Sequence, residues 1–398
     1  MLHTRNPRQL LVAGAGIGGL ASALAAARAG WQVRVFEQSP AFGEVGAGLQ
    51  LGPNVTRILK GWGLAEALAQ VAAFPQHLRV RSAVHGGEIG RMALGREIEA
   101  RYAAPYATLH RADLHSLLQT ATESLPDVTL LSGRHVSSLR EIGADVQITT
   151  DKGLCVEGDA LVGADGIWSR VREQLLRDGP AAPTGHLAYR ALVPQAALPE
   201  ALRSQDVTAW LGPRLHVITY PVRGGEWLNM VAFVHGAIEG DAEGWDHAAV
   251  AADLRAGMGP ACARLQDLVA AVDAWSLWVL CDRPPLRSAA QMARGRIALL
   301  GDAAHPMRPY LAQGAGMAIE DAFVLGQSLA LCPELEVHEA LTRYANLRWR
   351  RAARVQARSR RNGRIFHLTG PMRWGRDLSI GLLGRRLLDV PWLYGARL

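Results

Sequence analysis

Near the start of the chain, Gly14-Ala15-Gly16-Ile17-Gly18-Gly19 sets glycines at the first, third and sixth positions of a short turn. That spacing suits a dinucleotide. Gly14 permits the turn, Gly16 lets a pyrophosphate approach the backbone, and Gly19 lets the following helix pack tightly, with its unpaired N–H groups facing the phosphates. Glu37 ends the next apolar run, at the distance where a carboxylate bonds ribose hydroxyls. An acid there prefers an unphosphorylated ribose, as in FAD or NAD. The alternative, a merely structural glycine turn, fits poorly with a hexapeptide lying between strand and helix.

Two later segments repeat the theme of an acid at a strand end. Gly301-Asp302-Ala303-Ala304-His305-Pro306 follows the run Arg296 to Leu300. Asp302 then falls at the carboxyl end of a strand, where α/β sheets bind ligands, and can bond a ribityl hydroxyl. His305 reads as a residue that shapes the turn. Further on, Gly314-Ala315-Gly316-Met317 opens a helix whose N-terminal N–H groups would stabilise negative charge on a reduced flavin ring. A plain βα turn is the other reading. Gly163 to Arg172 is another strand end with an acid, Asp165, a glycine and a helix, which alone could be any capped helix.

A different chemistry is suggested by Leu215-His216-Val217-Ile218-Thr219-Tyr220. His216, Ile218 and Tyr220 share one strand face by the two-residue period, so imidazole and phenol can point into one pocket. A surface strand with an ordinary histidine is the competing reading.

The elements that would position these residues follow from periodicity. Gln9 to Ala13, Leu20 to Ala29 and Gln32 to Phe36 form a βαβ unit. A helix from Ala112 to Glu123 precedes strands at Val128 to Leu131, Val146 to Thr149, Cys155 to Gly158 and Ala160 to Gly163. From about Ala181 to Ala290, prolines and glycine-rich turns separate strand-like runs, including Val207 to Leu211, His216 to Pro221 and Leu228 to Phe233. This predicts an antiparallel sheet inserted into the first domain. Gly314 to Ala330 reads as a long helix and Glu336 to Arg364 as a basic one. The arginines of that last helix, among them Arg348, Arg351 and Arg360, are expected on a solvated face, since few aromatics interleave them as in a nucleic-acid stripe.

Composition narrows the class. The chain has 398 residues, 49% of them hydrophobic, which suits a globular protein rather than a disordered one. Its net charge of +7 fits a cleft that attracts anionic substrates and dinucleotides. Cys155, Cys262, Cys281 and Cys332 are scattered, with no CxxC and no histidine at metal-ligand spacing, so no metal is expected. Arg5 and Arg8 before an Ala-rich run suggest a signal peptide, but glycines interrupt that run and a regular strand follows it. No stretch reaches the roughly 18 apolar residues of a membrane span. A cytoplasmic enzyme is expected, bound to neither membrane nor nucleic acid, as a monomer or homodimer.

Taken in order, the three glycine-and-acid motifs resemble those of the group A flavoprotein aromatic hydroxylases. The likeness covers nearly the whole chain. It is nearest to the branch containing salicylate hydroxylase, 3-hydroxybenzoate 6-hydroxylase and 6-hydroxynicotinate 3-monooxygenase, through Gly46-Ala47-Gly48, Leu109-His110-Arg111-Ala112-Asp113-Leu114, His216 to Pro221, and Gly301 to Asp321. The resemblance implies an α/β fold: a Rossmann-like FAD-binding domain of the GR2 type, like para-hydroxybenzoate hydroxylase, with an inserted antiparallel-sheet substrate domain and C-terminal helices. It places residues 1–75, 100–180 and 285–335 in the first, 76–99 and 181–284 in the second, and 336–398 in the helical segment.

Carried over residue by residue, the resemblance implies that FAD is held by Gly14, Gly16, Gly18, Gly19, Glu37, Gln38, Gly48, Arg111, Val136, Asp165, Asp302, Gly314, Ala315 and Met317. Arg111 would meet the phosphate or ribityl region, and Val136 would offer its backbone to adenine. No second GxGxxG exists, so NAD(P)H would bind transiently in a groove. The implied reaction reduces FAD, adds O2 to give a C4a-hydroperoxide, and passes one oxygen to a small hydroxylated aromatic acid. His216 would be the base, with Tyr220 and the carbonyl of Pro309 beside the ring. A phenolate donates electrons better than a phenol, so a base near the substrate hydroxyl accelerates the transfer.

Two positions depart from relatives. Pro309 stands where 3-hydroxybenzoate 6-hydroxylase-like sequences tend to have glutamine, and Gln50 where the hydroxynicotinate enzymes carry histidine. A substrate carboxylate needs a cation, for which Arg190, Arg214 and Arg308 are open choices. The rival readings are an epoxidase or halogenase of the same fold and a flavin-binding regulator without turnover. Trp275-Ser276-Leu277-Trp278 lacks the WxWxIP pattern of flavin-dependent halogenases.

Overall fold

A computed structural model describes residues 8–43, 47–236 and 247–398. Gln9–Ala13 is the centre of a six-stranded sheet. It pairs in parallel with Gln32–Phe36 on one side and Ala160–Gly163 on the other, and Ile297–Leu299 and Val128–Leu131 extend the sheet outwards. Its central strands are apolar and buried on both faces, as parallel strands covered by helices must be. The Ala-rich helix Ile17–Arg28 packs on this sheet and against the helix Gly314–Leu329. Each fully buried leucine there, such as Leu20 or Leu325, contributes roughly 1.5–3 kcal/mol by leaving water.

The second sheet has eight strands, drawn from residues 77–93 and 182–282. Four lie side by side at its middle: Ala274–Asp282, Ala182–Pro194, Trp227–His235 and Leu215–Val222, all antiparallel. Its other end departs from the antiparallel expectation, because Val207–Gly212 runs parallel to His77–Ser82. The two come from segments far apart in the chain, so no tight hairpin dictates their direction. The strands alternate strictly. Leu187, Tyr189, Leu215, Val217, Met230 and Ala232 point to a core closed by the helices Ala251–Met258 and Ala263–Ala270. Their odd-even partners point to the opposite face, which the first sheet's loops and the C-terminal helices cover.

The basic helix Val337–Phe366 corrects the expectation of a solvated arginine face. Arg348 is wholly buried, 2.9 Å from Glu320 and 2.7 Å from Asp321. Arg351 binds Glu320 at 2.6 Å, and Arg360 binds Asp282 at 2.8 Å. The acids sit on the neighbouring helix Gly314–Leu329 and on Ala274–Asp282, so the arginines turn inward to them. Asn54 donates to Glu320, and His305 meets Asp321 at 2.5 Å, which agrees with a turn-shaping role for that histidine. Burial alone would raise both carboxyls, yet Arg348, with Arg351 on Glu320 and His305 on Asp321, holds them below the usual carboxylate range. Three further helices follow the basic one: Gly370–Leu383 and the single turns Arg385–Leu388 and Pro391–Tyr394. No helix among the described residues is long and apolar enough to cross a membrane.

Candidate active site

The glycine turn is built so that side chains cannot enter it. Gly14 has φ of +97°, and a Cβ there would stand 2.5 Å from the Ala164 carbonyl oxygen. A Cβ on Gly19 would lie 1.8 Å from the Gly14 oxygen. The turn therefore presses directly on the Ala164-Asp165 loop. Glu37 closes it from the third side, accepting from the Ala15 N–H at 2.7 Å and the Ser39 N–H at 2.9 Å. Gly16 caps the helix with no side-chain hydrogen bond, leaving the first N–H groups for a ligand. This cradle fits the pyrophosphate and ribose of a dinucleotide. Gly19→Ala is expected to yield protein that purifies with little flavin and is about 1–3 kcal/mol less stable, as read by absorbance and urea denaturation. Full flavin content would contradict this account of the turn.

The remaining residues expected at the cofactor take differing places in the fold. Asp165 accepts from Ser169 at 2.5 Å and from the Val171 N–H at 3.1 Å, capping the helix Arg170–Leu176. Burial raises its pKa. Asp302 lies exposed in the single turn Gly301–Ala303 after the strand Ile297–Leu299. Gly314 and Ala315 open their helix, whereas the Met317 N–H bonds the Gln313 carbonyl at 2.8 Å and its side chain is buried. Arg111 starts the helix Arg111–Glu123, its N–H bonded to the Ala47 carbonyl. Gly48 donates its N–H to Asn229 at 2.7 Å. Val136 is buried at the start of Val136–Ile142, and Gln38 is exposed. Gly46 lies outside the described residues.

The inner face of the eight-stranded sheet supplies the rest. His216 is 1% exposed, so it is not a surface histidine. Its ring stacks on Phe233 at 4.4 Å and meets Tyr310 edge-on at 5.0 Å. Burial above all, then the neighbouring imidazoles His367 and His186, holds its pKa well below the ordinary value. Tyr220 shares the face, but four residues, about 13 Å of strand, separate it from His216. Tyr220 packs where a Gly48 Cβ would be, near Gln50, whose Oε1 accepts from the Tyr106 hydroxyl at 2.7 Å. Pro309 lies in the loop before Tyr310, and its carbonyl accepts from the Ala312 N–H at 3.0 Å.

Register places Ile218, Val231 and Arg190 in one row across the sheet, and His216, Phe233, Ala188 and Trp278 in the next. Of the three candidate cations, Arg308 is tied to Asp282 at 2.7 Å, and Arg214 lies at a turn with φ of +56°. Arg190 instead lies over the Trp278 ring, has no ion pair among the described residues, and leaves its Nε without a hydrogen-bond partner. Burial pushes its pKa down. A separate cavity of about 310 Å³, lined by Arg79, Arg81, Thr208 and Trp210, opens on the reverse face of the sheet, away from His216.

Several neighbours escaped the sequence. Tyr310 stands beside Pro309, and its adjacency was the only available signal. His186 bonds Tyr310, and His367 bonds both His216 at 2.7 Å and His235 at 2.8 Å. A file of imidazoles thus runs from buried His216 to exposed His235. Its members come from two strands and the end of a helix, at no spacing a motif could reveal.

The profile of the FAD binding domain family matches residues 8–359. A 3-hydroxybenzoate 6-hydroxylase of Polaromonas naphthalenivorans is 37% identical over 98% of this chain and 97% of its own length. A 3-amino-4-hydroxybenzoate 2-monooxygenase of Streptomyces cremeus is 37% identical over 97% of this chain and 95% of its own. Among solved structures, a salicylate hydroxylase substrate complex aligns with a TM-score of 0.81 at 26% identity, covering 98% of this chain and 96% of that one. The glycine cradle, the sheet behind it and these likenesses agree, and the chain belongs to the FAD binding domain family as an FAD-dependent aromatic monooxygenase.

Proposed function

We propose that this enzyme uses NAD(P)H and O2 to hydroxylate a small hydroxylated aromatic carboxylate, salicylate- or hydroxybenzoate-like. The observation that carries this reading is Arg190, a partly buried guanidinium whose Nε lacks a hydrogen-bond partner and which has no carboxylate partner among the described residues, on the apolar face that also bears His216. A charge left this way costs several kcal/mol unless an anion meets it, and a planar carboxylate suits its geometry. The substrates named for the relatives are aromatic acids of this kind.

We assign FAD to residues 1–75, 100–180 and 285–335, and the aromatic acid to the sheet of 76–99 and 181–284. The glycine turn and Glu37 would hold the adenosine half, and Arg111, Asp302, Gly314 and Ala315 the flavin half. Bound FAD supplies the acceptor for hydride from NAD(P)H and the centre that activates O2. The chain's own residues orient the ring and manage its proton. Arg190 anchors the carboxylate, while Ala188, Val231 and Phe233 pack the ring. His216 takes the proton of the substrate hydroxyl, and the contact from its Nδ1 to His367 leads that proton outwards to His235. Tyr220 and the Pro309 carbonyl line the two ends. Four unpaired cysteines support a reducing, cytoplasmic setting.

Arg190→Met is expected to raise KM for an aromatic acid by about thirtyfold, near the 2 kcal/mol floor for breaking a buried charge pair. Flavin content should not change. Steady-state kinetics on a panel of hydroxybenzoates, scored by product, check this. An unchanged KM would remove Arg190 and, with it, the carboxylate.

A further inference from the structure

Three histidines that the hydroxylation does not require as a set meet at one border of the pocket. His186 and His235 are cross-strand partners, and His367 follows the last turn of Val337–Phe366. One ring nitrogen from each lies within 4.8 Å of the other two, and His235 Nε2 approaches His367 Nδ1 to 2.8 Å. In a tetrahedral site with metal–nitrogen bonds of about 2.0–2.1 Å, ligand nitrogens stand roughly 3.4 Å apart. Binding asks the three rings to close to that spacing, and exposed His235 has the most room to turn.

Two of the three rings have a further nitrogen already engaged. His186 Nδ1 meets the Tyr310 hydroxyl, and His367 Nε2 meets His216 Nδ1 at 2.7 Å. Metal-binding histidines use their outer nitrogen in this way to fix ring and tautomer. His186 and His367 are buried and His235 is exposed, so an ion reaches the group from the His235 side. Among the cations bearing on the group, Arg308 is neutralised by Asp282, and Arg376 donates to the Phe366 carbonyl. Arg214 bears on His235.

We propose that His186, His235 and His367 form a binding site for an imidazole-preferring transition-metal dication such as Zn²⁺, with water completing its coordination. Occupation also acts on His216, a consequence that rests on its proposed role as base. With Nδ1 on the metal, His367 keeps its proton on Nε2 and donates it to His216 Nδ1. Neutral His216 then carries its proton on its other nitrogen and has no lone pair left to accept one. Without metal the file takes the opposite polarity, His216 donating to His367 and keeping its other nitrogen free. Metal therefore switches the base off.

Untagged, FAD-loaded enzyme titrated with ZnCl2 against a chromophoric chelator is expected to take up one Zn²⁺ per chain. His235→Ala should weaken that uptake about tenfold or more, its folding verified by flavin absorbance, with His235→Gln as a second variant. No uptake by the unmodified enzyme, or uptake by both variants as strong as the unmodified enzyme's, overturns the site. Zn²⁺ should also slow product formation, reversibly with EDTA, and slow the His235→Ala enzyme less relative to its own rate. Uptake without inhibition leaves the site standing and overturns its link to His216, while the coupling of a His216→Ala enzyme tests the base reading separately.

Discussion

His216→Ala is expected to keep its yellow colour while product formation falls between about a hundredfold and ten-thousandfold, the range for losing a positioned general base. The two effects separate because no residue of the glycine cradle touches the His216 ring. Its contacts are Phe233, Tyr310, Phe366 and His367. NAD(P)H oxidation should continue, with reducing equivalents appearing as hydrogen peroxide rather than hydroxylated ring. Product formed per NAD(P)H consumed, with peroxide assayed in parallel, measures this directly. Unchanged coupling would take His216 out of the mechanism. Burial also keeps this imidazole neutral at a pH where an ordinary histidine is largely charged, so mild acid should not abolish hydroxylation by protonating it.

Arg348→Met should destabilise the protein by about 3–5 kcal/mol, since it leaves Glu320 and Asp321 buried beside too little positive charge. The lost attraction is only part of that cost. A combined Arg348→Met, Glu320→Gln, Asp321→Asn enzyme should recover much of the stability, because the fully buried charges are removed together and only the more exposed Arg351 loses its acid. Urea midpoints of the three proteins test the argument, and a loss below about 1 kcal/mol in the single variant would refute it. The pH dependence has a definite sign. Both carboxyls sit below their unfolded values, so their contribution is complete above about pH 5 and is lost as pH falls through the folded pKa values. The triple variant should therefore lose less stability in acid than the natural enzyme.

The elements nearest the cofactor were legible because their signals are local. Gly14 to Gly19 and Glu37 lie within one βαβ unit, and the observed helix Ile17–Arg28 starts three residues before the expected Leu20 to Ala29 and ends one before it. The two-residue period correctly placed His216, Ile218 and Tyr220 on one face. Strands without that clean rhythm were missed, such as Ala182–Pro194 and the pair His77–Ser82 and Glu88–Ala93. The arginine helix was misread because Glu320 and Asp321 precede Arg348 by a full helix, and nothing in the run Arg343 to Arg364 announces them. His186, His235 and His367 are spread over three distant segments, so only the fold makes them neighbours.

The strict pleat of the eight-stranded sheet bears on descent. Along each central strand, residues that face the proposed pocket alternate with residues that hold the sheet to its helices: Ala188 beside Leu187 and Tyr189, Val231 and Phe233 beside Met230 and Ala232. A mutation at one set leaves the packing of the other intact. Lineages sharing this scaffold are thus free to wander among substrates by single changes, without first passing through an unstable ancestor.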